Sequence, residues 1–211
     1  MPHYIFNAIP TDESTELCES LIDTCKSTAK LSILRNTFAS GKGKAFMRSI
    51  GLGCLRDCKD TDYVYILMHG SGYGGSSNVG VSRGAKKEYK RGLPVWEGGT
   101  LKAYNVTSLA RALSKEGLPK SFQHLHLLTC GSGFAGDEET HPNHKGGPVP
   151  PEVMAPLAKR LKDALVALGY GHILVTGYKG DISVNIERNG WFSVEVRGGK
   201  FVPADEAMVT F

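Results

Sequence analysis

The sequence lacks any apolar run near the roughly 20 residues that a bilayer-spanning helix requires. It also lacks a strong charge of either sign, because 25 Lys and Arg residues against 21 Asp and Glu residues leave a net charge of +4. Such a mild surplus predicts neither nucleic-acid nor membrane binding. No basic segment followed by a long apolar stretch opens the chain, so we expect a cytoplasmic protein, or one exported without a cleaved signal peptide.

Cysteine is scarce, with five residues in 211, and an odd number leaves at least one thiol without a partner in the chain. We therefore expect reduced thiols rather than a disulfide framework. Cys18 and Cys25 recur with leucines at helical spacing, which is typical of small buried residues. Cys54 and Cys58 resemble half of a zinc site, but no second Cys or His pair has matching spacing, so we expect no metal.

Glycine, in contrast, is abundant, with 26 residues or about 12% of the chain against a usual share of roughly 7%. Nine of the 26 glycines lie in the stretches 70–80 and 131–146. The remaining composition, 41% hydrophobic and 22% charged, is that of a globular protein. The length suffices for a sizeable core, and we expect one domain over residues 1–211.

Strand-like and helix-like segments alternate along most of the chain. The run 63–68 is continuously apolar and has the character of a central strand covered on both faces, and 124–129 has the pattern of a second strand. Apolar residues at helical spacing mark helices near 107–116 and 153–168. This alternation predicts an α/β fold, a three-layer sandwich with a mainly parallel central sheet.

Three further segments complete the predicted architecture. Asn189-Gly190 lies between two alternating runs, 182–186 and 191–196, which predicts a C-terminal β-hairpin. We expect a short helix or turn near 45–50, and a long polar loop from the end of the strand at 63–68 to about residue 105.

Each of the two central strands ends in a reactive residue followed by glycine. His69-Gly70 follows Ile-Leu-Met, and Cys130 follows Leu-Leu-Thr. Because functional groups gather beyond the carboxyl ends of parallel strands, we expect His69 and Cys130 at the same edge of the sheet. A thiol beside an imidazole can act as a nucleophile with a base, and backbone N–H groups of tightly turned residues can stabilise the oxyanion that its attack creates.

A hydrophobic strand that ends in His-Gly, followed by a later one that ends in Cys, resembles the caspase-like (clan CD) cysteine peptidases, over about residues 60–180. The resemblance implies a hydrolase, a thiol endopeptidase in which His69 and Cys130 form a catalytic dyad. It also implies an oxyanion hole made by the N–H groups of Gly70 and Cys130. The sequence Leu-Leu-Thr-Cys-Gly-Ser-Gly departs from the Gln-Ala-Cys-Arg-Gly type of caspases, which argues against Asp specificity. The compact length is closer to bacterial toxin or effector peptidases, some of which are autoprocessing.

The resemblance also suggests where the protein or peptide substrate would bind, since clan members commonly form the pocket from loops that follow the central strands. Here Asp181 could select a basic side chain and Trp191 could line the pocket. A turn role for Asp181 and a hairpin-core role for Trp191 are the structural alternatives. Asp12 or Asn7, near the end of the first strand, could orient His69.

Two charged segments have a functional and a structural interpretation. The basic residues of the first could be a solvated loop or an anion-binding site: Arg83, Lys86, Lys87, Lys90 and Arg91. Toxin relatives are activated by inositol hexakisphosphate through basic residues, so the resemblance suggests such an anionic activator, with no cofactor required. The second, residues 137–144, resembles the linker that caspases cut during activation, and its two histidines and acids make metal binding or a mobile loop the alternatives.

Other functions remain open from the sequence. The chain could be a non-catalytic binding module on the same fold, or a Cys hydrolase or acyltransferase that acts on a non-peptide amide. A glycine-rich phosphate site at 70–75 is less favoured, because the spacing does not fit Gly-x-Gly-x-x-Gly before a helix. The oligomeric state is left open.

Overall fold

A computed structural model of the protein describes residues 2–8, 11–25, 31–34, 37–39, 45–47, 53–69, 78–83, 86–90, 93–97, 100–135, 155–188, 191–196 and 198–211. The strands in chain order are β1 (His3–Phe6), β2 (Leu31–Leu34), β3 (Thr37–Ala39), β4 (Ala45–Met47), β5 (Tyr63–Leu67), β6 (Asn78–Arg83), β7 (Lys86–Lys90), β8 (Leu93–Glu97), β9 (Thr100–Asn105), β10 (His124–Leu128), β11 (Leu174–Tyr178), β12 (Asp181–Arg188), β13 (Trp191–Val196), β14 (Lys200–Pro203) and β15 (Met208–Thr210). The helices are α1 (Asp12–Thr24), α2 (Val106–Lys115), α3 (Leu157–Val166) and α4 (Ala204–Ala207).

The main sheet has six strands in the order β15-β11-β10-β5-β1-β2. Five of them are parallel, and β15 lies antiparallel to β11 at one edge. A separate small sheet, β12-β13-β14, is antiparallel. The predicted α/β class with a mainly parallel sheet is confirmed, and so is the C-terminal hairpin, which a third strand extends.

Side chains of the central strand β5 point alternately to two hydrophobic cores, because successive residues of a strand face opposite sides of a sheet. Val64 and Ile66 belong to one core, which also contains the apolar residues of α2 and α3. Tyr65 and Leu67 belong to the other, which α1 and the small sheet complete. This burial on both faces explains why the run is continuously apolar.

The first core is closed by two amphipathic helices. In α2 the buried Leu109 and Leu113 form one face, and the Asn105 side chain caps the helix by accepting a hydrogen bond from the Ser108 N–H at 2.8 Å. In α3 Leu161 and Leu165 are fully buried. The predicted helix at 153–168 is observed from Leu157, and residues 151–154 lie outside the described part of the chain.

The second core combines a helix with the small sheet. Helix α1 begins with a capping box between Thr11 and Ser14 and buries Cys18 and Leu21. The small sheet contributes Phe192 among other buried residues of β12, β13 and β14. This face of the main sheet is therefore covered by α-helical and β-sheet structure together.

Two local predictions are wrong. The segment predicted as a long polar loop contains four strands, since β6 pairs with β9 and β7 pairs with β8, both antiparallel. Residues 45–47, predicted as helix or turn, form β4 and pair with β3. In both segments the strands are short, three to six residues, and lack the long apolar run on which the strand predictions depended.

Candidate functional site

The two predicted catalytic residues lie at the ends of neighbouring strands. Strands β5 and β10 pair in parallel up to Leu67 and Leu128, and the Met68 N–H donates to the Leu128 carbonyl at 3.2 Å. His69 and Cys130 each follow two residues beyond that last registered pair. The register therefore brings their backbones to adjacent positions at the carboxyl edge of the sheet.

Both side chains lie on the sheet face that packs against α1 and the small sheet. His69 contacts Glu13 of α1, and Cys130 contacts Ile182 of β12. Because α1 and β12 also pack against each other, the imidazole and the thiol share one side of the sheet between two neighbouring elements.

The His69 imidazole is held by a carboxylate. Its Nε2 lies 2.8 Å from Oε1 of Glu13, and the Glu13 side chain is only 5% exposed while that of His69 is 50% exposed. A neutral imidazole that donates Nε2–H to a carboxylate has Nδ1 as its basic nitrogen. The arrangement is that of an oriented general base whose ring reaches solvent.

Glu13 is a residue that the sequence reasoning missed. The predicted orienting residues were Asp12 and Asn7. Asn7 is 4% exposed, and neither polar atom of its amide has a hydrogen-bond partner within the described residues. The position of Glu13 depends on how α1 packs across the sheet, and the only signal in the sequence is a carboxylate in the first turn of the helix that follows β1.

The Cys130 thiol is held by the start of β12. The Ile182 N–H donates to Sγ at 3.4 Å, and the thiol S–H donates to the exposed Asp181 carboxylate. The pKa of Cys130 is raised to about 11, chiefly by burial; the Ile182 N–H opposes the rise and the Asp181 charge contributes to it. The thiol is thus protonated at neutral pH in this conformation.

The loop that follows Cys130, the predicted nucleophile, is fixed by hydrogen bonds, and we call it the nucleophile loop. Ser132 is fully buried, and its Oγ donates to the Leu127 carbonyl at 2.9 Å and accepts from the Tyr178 N–H at 3.0 Å. Gly131, at φ +67°, donates its N–H to the Gly180 carbonyl at 2.8 Å. These bonds tie the nucleophile loop to the end of β11.

The same loop passes very close to β11. A Cβ at Gly177 would lie 2.7 Å from the Ser132 carbonyl carbon and 2.8 Å from the Gly133 backbone nitrogen. Only glycine fits at position 177 without moving one of the two backbones. Ser132 and Gly177 were not predicted as positioning residues, and the sequence signal for them is the Gly-Ser-Gly that follows Cys130.

The predicted substrate residues occupy different surroundings. Asp181 contacts the nucleophile, as described. Trp191 packs edge-on against the rings of His3 and Tyr65, at centroid distances of 6.0 and 5.7 Å. Its contacts are therefore those of the hairpin-core alternative rather than of a pocket wall beside the thiol.

The basic residues predicted as a loop lie mostly in strands. Arg83 ends β6, and Lys86, Lys87 and Lys90 belong to β7. The loop interpretation of this cluster is wrong for the same reason as for the segment that contains it. Arg91, Gly70 and the predicted processing segment 137–144 lie outside the described residues.

All five cysteines are free thiols, and those at 54 and 58 have pKa values raised to about 12 and about 11, in both cases chiefly by burial. Over the described ranges, no cluster of three or more His, Cys, Asp or Glu side chains could hold a metal ion. None of the described helices is both long and apolar enough to cross a membrane.

Comparison with known proteins gives no family. No protein-family model matches the chain, and no curated protein matches its sequence. The chemistry of the strand ends must therefore be argued from the geometry of this molecule.

The anchoring of the nucleophile loop predicts the effect of Ser132→Ala. The change leaves the buried Tyr178 N–H without its acceptor, so we expect the free energy of unfolding to fall by about 1–3 kcal/mol. Urea-induced unfolding measures this free energy for the wild type and the variant. The control is Ser121→Ala at an exposed position, expected to change stability by less than about 0.5 kcal/mol. Equal stability of the two variants would contradict the anchoring role.

Proposed function

We propose that the protein is a caspase-like cysteine peptidase, with a three-layer α/β domain that hydrolyses peptide bonds in a protein or peptide substrate. The observation that carries the proposal is the placement of His69 and Cys130, two residues beyond the last registered pair of adjacent parallel strands and on one face of the sheet. A thiol and an oriented imidazole at neighbouring strand ends are the parts that acyl transfer requires.

Catalysis begins when the Cys130 S–H proton passes to Nδ1 of His69 and Sγ attacks the scissile carbonyl carbon. The C–S bond forms as the carbonyl π electrons move to oxygen, and the N–H groups of Cys130 and Gly70 stabilise that oxyanion. The tetrahedral intermediate then collapses, the C–N bond breaks, and the leaving amine takes the proton from His69. His69 next removes a proton from water, which attacks the thioester, releases the acid and restores the thiol.

The raised pKa of Cys130 favours proton removal during attack over a thiolate that exists beforehand. With a pKa of about 11, only a small fraction of the thiol is ionised at neutral pH. An oriented base is then needed at the moment of attack, and Glu13 supplies the orientation by holding Nε2 of His69.

Variants of the dyad test the proposal. We expect Cys130→Ala to abolish peptide cleavage and His69→Ala to lower kcat/KM by roughly 10²–10⁴-fold, since it removes the general base. A library of fluorogenic peptides reports cleavage in trans. Mass spectrometry of the chain itself reports autoprocessing.

The matched control is Cys54→Ala, which removes another half-buried thiol and should leave cleavage unchanged. Cleavage at the wild-type rate in either dyad variant would overturn the proposal.

Glu13 is proposed as a positioning residue that acts through His69. Glu13→Gln removes the charge that holds the ring, and because a misplacement of about 1 Å can cost on the order of 10²-fold, we expect kcat to fall by roughly that factor with KM little changed. Steady-state kinetics separate the two parameters, and thermal unfolding checks that the fold is intact. Glu19→Gln, at an exposed position of α1, is the control. An unchanged kcat in Glu13→Gln would show that the contact has no catalytic role.

Asp181 is proposed to favour a cationic substrate side chain, because its exposed carboxylate touches the nucleophile. Alkylation of Cys130 by cationic 2-bromoethylammonium and by neutral iodoacetamide tests this charge effect. We expect Asp181→Asn to lower the ratio of the two rates by about fivefold, the effect of roughly 1 kcal/mol between unit charges in water. Asp205→Asn, at an exposed position of α4, should keep the wild-type ratio. The same ratio in both variants would remove Asp181 from the substrate site.

One observation favours a second function, a non-catalytic binding module on the same fold. The Cys130 thiol is hydrogen-bonded to Asp181 and Ile182, and its pKa is raised rather than lowered. This alternative predicts that Cys130 reacts with iodoacetamide no faster than an ordinary thiol, and that His69→Ala does not change the rate. Cleavage of non-peptide amides in substrate profiling would instead indicate the amide hydrolase or acyltransferase.

A further inference from the structure

A set of closely packed rings lies on the sheet face that the small sheet covers, and Tyr178 is its one member at the carboxyl end of a strand. We call it the ring stack, and its members are His3, Tyr63, Tyr65, His124, His126 and Tyr178. The residues come from four neighbouring strands, β1, β5, β10 and β11, and the register aligns His3 and His124 with Tyr63 on either side. Three imidazoles are thereby packed among three phenol rings.

The contacts within the ring stack are close. The centroid distances from Tyr63 are 4.7 Å to His3 and 4.8 Å to His124, and the rings of Tyr65 and His126 are 4.6 Å apart. Two imidazoles also hydrogen-bond to phenols at 3.0 Å, His3 Nδ1 to the Tyr65 hydroxyl and His126 Nδ1 to the Tyr178 hydroxyl.

One side of the small sheet packs against the ring stack. Trp191 of β13 contacts His3 and Tyr65, and Phe192 contacts Tyr178 at a centroid distance of 5.3 Å. Strand β13 pairs with β12, whose first residues hold the nucleophile through the Ile182 N–H. The histidines are thus connected to Cys130 through only two strands.

We propose that the ring stack is an acid-sensitive switch: protonation of its histidines loosens the small sheet from the main sheet and releases the Cys130 thiol from β12. The structural part of this proposal stands without catalysis. Its consequence for activity rests on the proposed peptidase function.

The electrostatic surroundings of the histidines oppose a positive charge. Burial, with smaller contributions from the neighbouring His124 and His3, lowers the pKa of His126 to about 3. The pKa of His3 is lowered by burial and by the amino terminus. Among the described residues, the groups whose charges shift the pKa values of the Tyr65 and Tyr178 phenols are Tyr63, Tyr65 and Cys25, and the two rings of β13 that contact the ring stack are uncharged. None of these groups is a carboxylate that could accept a hydrogen bond from an imidazolium.

The sign of the pH dependence follows from proton binding. A histidine whose pKa is lower in the packed state than its ordinary 6.5 makes that state bind fewer protons than the open one. The packed state is therefore fully favoured above pH 6.5 and loses stability as the pH falls from 6.5 toward 3. For one proton taken up, the equilibrium for opening increases by up to about tenfold for each pH unit.

Hydrogen–deuterium exchange of the intact chain, followed by mass spectrometry between pH 7 and pH 4.5 and corrected for the intrinsic exchange rate, tests the proposal. We expect the opening of β12 and β13 to increase by up to about tenfold per pH unit below 6.5, while the amides of β5 and β10 stay protected. In His126→Gln, whose side chain can still hydrogen-bond to the Tyr178 hydroxyl, the increase should be smaller, with a remainder that comes from His3. His172→Gln, at an exposed position, should behave as the wild type.

Should His126→Gln fail to fold, His3→Gln serves instead, because it leaves the bond between His126 and Tyr178 in place and should reduce the pH dependence. Three results would overturn the proposal. The first is an opening of β12 and β13 that does not change with pH, the second is an opening that changes equally in the histidine variants, and the third is an opening of all strands together. None of these outcomes depends on peptide cleavage, so failure of the switch and failure of the peptidase function are distinguished.

Discussion

The parallel pairing of β5 with β10 is the interaction on which the rest of the molecule depends. Its register up to Leu67 and Leu128 brings His69 and Cys130 to neighbouring positions. The same register aligns Tyr63 with His124 and Tyr65 with His126 at the other end of the strands. A shift of one residue would turn each of these side chains to the opposite face. The candidate catalytic edge and the ring stack are thus two consequences of one strand pairing.

The two faces of the sheet have different roles because different elements cover them. On the face with α2 and α3, the side chains are apolar and provide stability. On the face with α1 and the small sheet, polar groups occur among the apolar ones: the Glu13 carboxylate reaches His69, and the start of β12 reaches Cys130. The residues of the proposed dyad and those of the proposed acid-sensitive switch therefore lie on the same face of the main sheet.

The sequence was informative where a single segment determines the outcome. The apolar run of β5 and the strand pattern of β10 predicted two central parallel strands, and the parallel arrangement predicted that His69 and Cys130, which follow them, lie at one edge. Contacts between distant segments could not be predicted in this way. The bond between Ser132 and Tyr178 joins residues 46 apart, and the position of Glu13 depends on helix packing. The strands β6 to β9 were missed because short polar strands have no continuous apolar signal.

The turn between β11 and β12 determines how these parts are coupled. Gly180 has φ +153°, and a Cβ there would collide with the Glu195 carbonyl oxygen of β13. Glycine is therefore required for β12 to leave the main sheet at this point and pair with β13. The Gly180 carbonyl also accepts the Gly131 N–H, so the turn is bonded directly to the nucleophile loop. Because this turn and the Ile182 N–H both join the start of β12 to the residues around Cys130, a change in how the small sheet packs on the ring stack would reach the surroundings of the thiol.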